Sequence, residues 1–351
     1  MLDLYKLCRN LLNQERVFKF NFLLAPVEHL MFKIMTLNSV DQFKLAYKEY
    51  RESGFVPKDI APIIIKANFK TKGSIRNQTV VNKVRTSPPP STSMFSEKEI
   101  TNALEELQQN GFGKLGVIQD SSLISELSLL ETAPVFSGKK FKTSGRREIE
   151  LQKSPDIASD HIWYVQPETA LENTALQKVI SDPFWKYISD NYLGSQTHLT
   201  AIRCWHSFPP QEKEFLSPEN WHLDAADGVN FIKFFLLLTD VDMKSGPTAI
   251  VPIPSTNLPR KFYTGRRYTN HEVNKLLSRN KRNVLNATGS KGLIYVADTR
   301  LLHKGTPVVE GHRFILNWVA SVDSFGTVQS ERYKLKENNL LKNRGDLLDI
   351  S

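Results

Sequence analysis

Apolar residues recur along this chain with two periods, helical before about residue 195 and strand-like after it. The plainest helix signal begins at Phe95. Ser96 and Glu99 have the spacing of a capping box, Phe95 and Ile100 that of a hydrophobic staple, and Gly111 marks the stop. A second helical region covers 173–193, punctuated by Asp182-Pro183 and ended by Gly194. Residues 1–70 also read as mostly helical: Ser39 and Gln42 resemble a capping box, Phe43, Ala46, Tyr47 and Tyr50 share one face, and Gly54 stands at the stop. Strands are expected over 112–118, 199–206, 231–238, 248–252, 293–297 and 314–320. The run 231–238 is apolar except for Lys233, as in a strand covered on both faces. Along 313–321 the residues alternate, with Arg313, Ile315, Asn317 and Val319 on one face and Phe314, Leu316, Trp318 and Ala320 on the other.

Residues 68–94 are rich in Lys, Asn, Thr and Ser and carry Pro88-Pro89-Pro90, a composition that buries little apolar surface. The expected organisation is therefore a helical N-terminal extension (1–70), a linker (71–94), a main domain of mainly β character with flanking helices (95–326) and a charged tail (327–351). At 351 residues, 40% hydrophobic and 24% charged, the chain has the composition of a globular protein with a sizeable core. Its net charge of +9 suits either an anionic partner or simple solubility. Cys8 and Cys204 are too few and too far apart for a disulfide framework or a zinc-cysteine site, which points to a reducing compartment. The first residues lack the pattern of a signal peptide, and the most apolar stretch, 17–35, is interrupted by Lys19, Pro26, Glu28, His29 and Lys33. No membrane span is expected, and the cytoplasm is the expected location.

The chemistry concentrates in Trp221-His222-Leu223-Asp224. Residues two apart on a strand face the same way, so His222 and Asp224 offer an imidazole and a carboxylate to one point. His303, following a strand-like run, is the best candidate for a third ligand. Two neutral imidazoles and one carboxylate on one side of a metal leave positions open opposite, an arrangement suited to non-haem Fe(II) with a bidentate cosubstrate and O2. Arg313 follows at the start of an alternating strand. An inward-facing guanidinium needs an anion, and its planar fork fits a carboxylate such as the distal one of 2-oxoglutarate. An acidic residue at the strand end would meet the same need.

This ordered set resembles the phytanoyl-CoA dioxygenase family of Fe(II)/2-oxoglutarate-dependent oxygenases. The resemblance covers roughly 95–326. It is carried by Asn110-Gly111-Phe112, Ser181-Asp182-Pro183-Phe184, Leu193-Gly194, Trp221-His222-Leu223-Asp224, Leu238-Thr239-Asp240-Val241-Asp242, Ser245-Gly246-Pro247, Leu302-His303-Lys304-Gly305-Thr306-Pro307 and Arg313. It implies a double-stranded β-helix of the jelly-roll, cupin-like kind, iron at His222, Asp224 and His303, and 2-oxoglutarate as cosubstrate anchored by Arg313. Where the family often has Pro-Gly-Ser-His, this chain reads Pro252-Ile253-Pro254-Ser255-Thr256, which alters the loop without touching the metal triad.

Around this set, Thr306 and Asn317 are candidates for the cosubstrate pocket, and Asp298 for orienting His303 or capping a turn. His206 is read as a core or rim histidine, His271 and His312 as solvated, and Phe234 and Trp318 as core. The stretch 260–282 holds Arg260, Lys261, Arg266, Arg267, Lys275, Arg279, Lys281 and Arg282 against the single acid Glu272. It is either a recognition element for an anionic substrate at the mouth of the site or a solvated basic helix. The expected activity is hydroxylation of a small-molecule substrate, with release of succinate and CO2. Three rivals are weighed against it. A halogenase needs a small residue where Asp224 stands. A nucleic-acid demethylase usually carries a second Arg where Val319 stands, so nucleic acid is not the expected partner. An inert binding module of the same fold would have no reason to keep His222, Asp224, His303 and Arg313 together.

Overall fold

The structure, a computed structural model, describes residues 38–53, 60–71, 75, 88–139, 151–211, 219–224, 229–253, 258–263, 266–322, 325 and 341. Its helices are α1 (Ser39–Ser53), α2 (Ile60–Thr71), α3 (Glu97–Asn110), α4 (Ser121–Ser128), α5 (Pro167–Leu171), α6 (Thr174–Ser181), α7 (Phe184–Leu193) and α8 (Asn270–Asn280). The strands are β1 (Phe112–Val117), β2 (Val135–Ser137), β3 (Ile162–Val165), β4 (His198–Ser207), β5 (Phe231–Leu237), β6 (Thr248–Ile250), β7 (Leu285–Asn286), β8 (Leu293–Ala297), β9 (His303–Gly305) and β10 (Arg313–Ser321).

Local chemistry explains the helix ends. The capping box of Ser96 and Glu99 forms in full, and Gly111 closes α3 at φ 70°, a left-handed conformation open to glycine. Asp182 ends α6, and its carboxylate also accepts from Ser93 Oγ, Met94 N and Phe184 N, so one side chain ties the approach to α3 to the start of α7. At α1 the cap lies one residue earlier than expected. Asn38, not Ser39, accepts from the backbone N–H of Val40 and Asp41, because the helix begins at Ser39 and Asn38 holds the position before it.

Seven strands pair in the order β1-β8-β5-β10-β4-β3-β2, and β7-β6-β9 form a second, smaller sheet. All pairings are antiparallel. Single bridges extend the small sheet: His222 pairs with His303 on β9, and Trp221 pairs with Tyr268. The large sheet therefore faces a short sheet across an interior, which is the jelly-roll architecture the resemblance implied. Outward-facing Ile232, Phe234, Leu236, Phe314, Leu316 and Trp318 pack with α3, α6 and α7 in the main core. Inward-facing Phe235, Leu237, Tyr295 and Ile315 meet Val241, Ile250 and Ala287 from the other side. Each strand thus buries both faces, which explains why 231–238 carries almost no polar residue.

The expected face of α1 is the buried one. Phe43, Ala46 and Tyr47 pack with Ile64, Ile75, Val229 and Phe325, the rings of Phe43 and Tyr47 lying 5.6 and 5.1 Å from that of Phe325. The extension therefore rests on the chain just beyond β10. Strands β2 and β3 are additions to the sequence reading, and the helical region expected over 173–193 is α6 and α7, divided at Asp182-Pro183 as the sequence indicated. Gly54, most of the linker, the stretch 17–35 and the charged tail fall outside the described residues.

Strand β1 runs hard against α3: a Cβ at Gly113 would stand 2.1 Å from the Ala103 carbonyl oxygen. Gly113→Ala should therefore force strand and helix apart and cost about 1–3 kcal/mol, the usual range for overpacking. The urea midpoint reads this directly, and an unchanged midpoint would mean that the two elements separate freely.

Candidate metal centre

The small sheet positions the central side chains. His222 N donates to His303 O at 2.9 Å and His303 N to His222 O at 3.0 Å, so the two histidines form a closed backbone pair with side chains on one face. Their rings lie 4.2 Å apart. Asp224 is held by its own N–H, which donates to Thr299 O at 3.0 Å. One donor atom from each of His222, Asp224 and His303 lies within 4.8 Å of the others. The spacing read from the sequence brings these three together.

The tautomers are set by the backbone. His222 Nδ1 lies 2.7 Å from Asn220 O and His303 Nδ1 lies 2.9 Å from Leu301 O. A carbonyl only accepts, so each Nδ1 carries a proton and each Nε2 is turned to the site. Those Nε2 atoms sit 3.4 Å from the Asp224 carboxylate, His222 from Oδ1 and His303 from Oδ2. Burial, with His303 beside it, lowers the His222 pKa to about 4, so the ring is neutral at physiological pH. Two imidazole Nε2 atoms converging on a carboxylate make a donor set that fits a divalent cation.

Lys233 is a contact the sequence reading missed. From the middle of β5 its ammonium donates to Asp224 Oδ2 at 2.7 Å, with both side chains largely buried. The signal was present, as the single charge in an otherwise apolar strand. Asp224 is held well below the usual carboxylate range; burial opposes this, and the Lys233 ammonium outweighs it.

Arg313 is buried at the start of β10 and faces the interior. It donates to Gly246 O and, at 3.1 Å, to Ser207 Oγ, while its Nε has no partner. No carboxylate pairs with it among the described residues, so the acidic partner considered above is not there. Thr306 backs onto the same turn, since a Cβ at Gly246 would lie 2.5 Å from Thr306 O. Asn317 is buried on the same face of β10 as Arg313, its Oδ1 without a partner.

Other candidates fall elsewhere. Asp298 is engaged away from His303 Nδ1. It accepts from Tyr192 Oη and from Arg300, and the orienting acceptor of His303 is the Leu301 carbonyl instead. His206 faces the helix layer and stacks on Phe314 at 4.0 Å, both ring nitrogens without partners. It is a core residue, though not a hydrogen-bonded one. His312 is half-buried against Glu131 at 3.1 Å rather than solvated, whereas His271 is exposed. Phe234 and Trp318 stack at 5.3 Å in the core, as expected. The interior also holds a buried pair unforeseen in the sequence, His161 and Glu219 at 3.0 Å. No helix among the described residues is long and apolar enough to cross a membrane.

Lys233→Met should leave Asp224 without its buried counter-cation in the metal-free protein. Removing one partner of a buried pair costs on the order of 3–5 kcal/mol. The loss should shrink when a divalent metal is added, because the metal replaces the missing charge. Thermal unfolding with and without metal reads both effects, and equal losses in the two conditions would separate Lys233 from the metal site. His206 gives a pH prediction. Burial, and then the nearby His312, lower its folded pKa to about 4, below the unfolded value of about 6.5. The contribution is therefore complete above pH 6.5 and is lost as the pH falls towards 4, by up to roughly 3 kcal/mol. His206→Phe should flatten the acid limb of the stability curve in that window; an unaltered limb in a folded variant would contradict the assignment.

No family model matches the chain, and no curated protein matches it. Solved structures do. The non-heme alpha-ketoglutarate-dependent carbocyclase SnoK from nogalamycin biosynthesis is similar at 15% identity over 69% of this chain and 91% of its own, with a TM-score of 0.45. EctD from S. alaskensis, solved with 2-oxoglutarate and 5-hydroxyectoine, is 14% identical over 72% of this chain and 88% of its own, with a TM-score of 0.43. HygX from Streptomyces hygroscopicus, solved with nickel and 2-oxoglutarate, is 11% identical over 62% of this chain and 85% of its own, with a TM-score of 0.42.

Proposed function

We propose that this chain is an Fe(II)- and 2-oxoglutarate-dependent dioxygenase of the phytanoyl-CoA dioxygenase type, hydroxylating a small-molecule substrate. The observation that carries this reading is the convergence of two carbonyl-locked imidazoles on the Asp224 carboxylate, inside a jelly roll whose interior also holds a buried arginine with its Nε unpartnered among the described residues. His222, Asp224 and His303 would hold the metal from one side and leave the opposite side for cosubstrate and O2. Iron(II), bound with 2-oxoglutarate and O2, supplies the oxidising chemistry that converts a C–H bond into C–OH with release of succinate and CO2.

The chain's own residues supply geometry and charge. The paired backbones of His222 and His303 fix two ligands at once, and the Asn220 and Leu301 carbonyls fix their tautomers. Lys233 fixes the rotation of the Asp224 carboxylate by holding Oδ2. Arg313 offers its guanidinium to the distal carboxylate of 2-oxoglutarate, and its partnerless Nε is the donor such an anion would satisfy. Thr306, beside the Gly246 turn, and Asn317, further along β10, line the space beyond it in this reading. Aliphatic and aromatic side chains around these groups, Phe235, Leu237 and Ile315 among them, exclude water.

Replacing each ligand tests the metal. His222→Ala or Asp224→Ala should abolish tight Fe(II) binding in calorimetric titration while keeping the far-UV spectrum, and wild-type affinity in either would remove the assignment. Replacing Arg313 tests the cosubstrate. A charge-assisted hydrogen bond contributes on the order of 1.5–3 kcal/mol, and a bidentate one the upper end or more. Arg313→Ala should therefore lower kcat/KM for 2-oxoglutarate roughly 100-fold, with Arg313→Lys intermediate and iron affinity nearly unchanged. Normal 2-oxoglutarate kinetics in Arg313→Ala would place the anchor elsewhere, at Arg203 or Lys233.

A further inference from the structure

Of the eight basic residues in 260–282, the fold brings Arg267 to the metal ligands. Its neighbours are fixed in place. Arg266 is paired with Glu272 through both terminal nitrogens and lies 4.4 Å from the Tyr268 ring centroid. Tyr268 is buried, and its N–H donates to Trp221 O at 2.9 Å. Thr269 forms a capping box with Glu272 at the start of α8. Lys275, Arg279, Lys281 and Arg282 are exposed on or just past α8.

The bridge between Trp221 and Tyr268 is antiparallel, so the next pair in register is His222 opposite Arg267. Trp221 and Tyr268 point together into the apolar cluster with Phe262, Val273 and Leu277. Side chains alternate along an extended backbone, so His222 and Arg267 point together to the other side, where the ligands converge. The electrostatics agree: the charge of Arg267 disfavours protonation of His222, and at Arg267 itself partial burial lowers the pKa while Asp224 opposes that shift. Arg267 is exposed, so its guanidinium stands at the rim of the site, within reach of solvent.

We infer that Arg267 is a specificity residue, binding an acidic group of the substrate, a carboxylate or a phosphate monoester, while the carbon to be oxidised lies at the metal. This rests on the metal-centre reading above. A planar fork at the rim suits either anion, and an acid held there fixes the remainder of the substrate relative to His222, Asp224 and His303. The rest of the basic stretch adds a favourable field for an approaching anion without contacting it.

The test uses the full chain loaded with Fe(II). Small molecules are supplied in matched pairs, each as the free carboxylate or phosphate monoester and as its neutral amide or dephosphorylated form. Stimulation of succinate formation is followed against concentration for the wild type, Arg267→Gln, Arg267→Lys and Arg279→Gln. Acidic members should stimulate turnover where their neutral partners do not. Arg267→Gln should raise their half-saturating concentration at least 10-fold, Arg267→Lys by less, and Arg279→Gln hardly at all. Stimulation confined to carboxylates or to phosphates supports the inference and identifies the group. Equal stimulation by neutral partners, no stimulation by any acidic member, or an unchanged half-saturating concentration in Arg267→Gln overturns it. So does an effect of that variant confined to 2-oxoglutarate or to iron affinity, since Arg267 would then serve the cosubstrate or the ligands. Fe(II) titration of the same wild-type preparation separates the two readings: absence of metal uptake overturns both, whereas uptake without any dependence on an acidic group overturns this one alone.

Discussion

A largely buried carboxylate must meet positive charge, and in this fold Asp224 sets that requirement. Lys233 meets part of it, with an ammonium reaching from the centre of a strand otherwise closed to charge. The two imidazoles turn their Nε2 atoms to the same carboxylate at 3.4 Å, while backbone carbonyls engage their far nitrogens. The site is thus a set of fixed side chains with one lysine among them. The surrounding structure serves to keep it so: the mutual pairing of His222 and His303, and the Thr299 carbonyl that holds the Asp224 backbone.

The two faces of the large sheet carry different duties. Its outer face is an apolar contact with the helices, where even His206 is accepted as a flat ring on Phe314. Its inner face takes nearly all the buried polar groups, and most are satisfied locally, as in the Thr248–Tyr295 hydroxyl pair at 2.9 Å and the His161–Glu219 pair. Two exceptions, Arg313 Nε and Asn317 Oδ1, lie on the same face of β10. Buried polar atoms lacking partners are expensive. Two of them on one inward face of one strand mark the wall of the interior where a polar ligand would be received.

Much of this was legible from residue order, because the signals were local. Capping at Ser96, the glycine stop at 111, the two faces of β10 and the same-side placement of His222 and Asp224 all follow from periods of a few residues. The strand-like run before it singled out His303, and the resemblance supplied the architecture. Short strands were less visible: β2 and β3 span three and four residues, too few for alternation to stand out. Contacts between distant segments were not legible at all. Nothing near Asp298 in the sequence shows that it accepts from Tyr192, and nothing near Lys233 shows that its partner is Asp224. Such pairings are set by strand order and register, which local patterns do not encode.

The bridge from Trp221 to Tyr268 has a consequence for how such a site varies. A loop hung freely over the metal would set its substrate contacts with the precision of a loop. Here the segment after residue 265 joins the small sheet beside the ligand strand, and its Tyr268 shares a core with Trp221. The ligand His222 therefore has a backbone partner on each side, His303 and the inserted segment. Recognition groups carried by the insertion inherit the rigidity of the metal site, because they lie on the same sheet. The same attachment ties the two together: a change that displaces Tyr268 also removes the outer support of the strand bearing His222. Residues that point away from that bridge, such as those on the exposed face of α8, can change without disturbing the ligands. Variation in charge is thus tolerated over most of 260–282 and constrained where the segment touches Trp221.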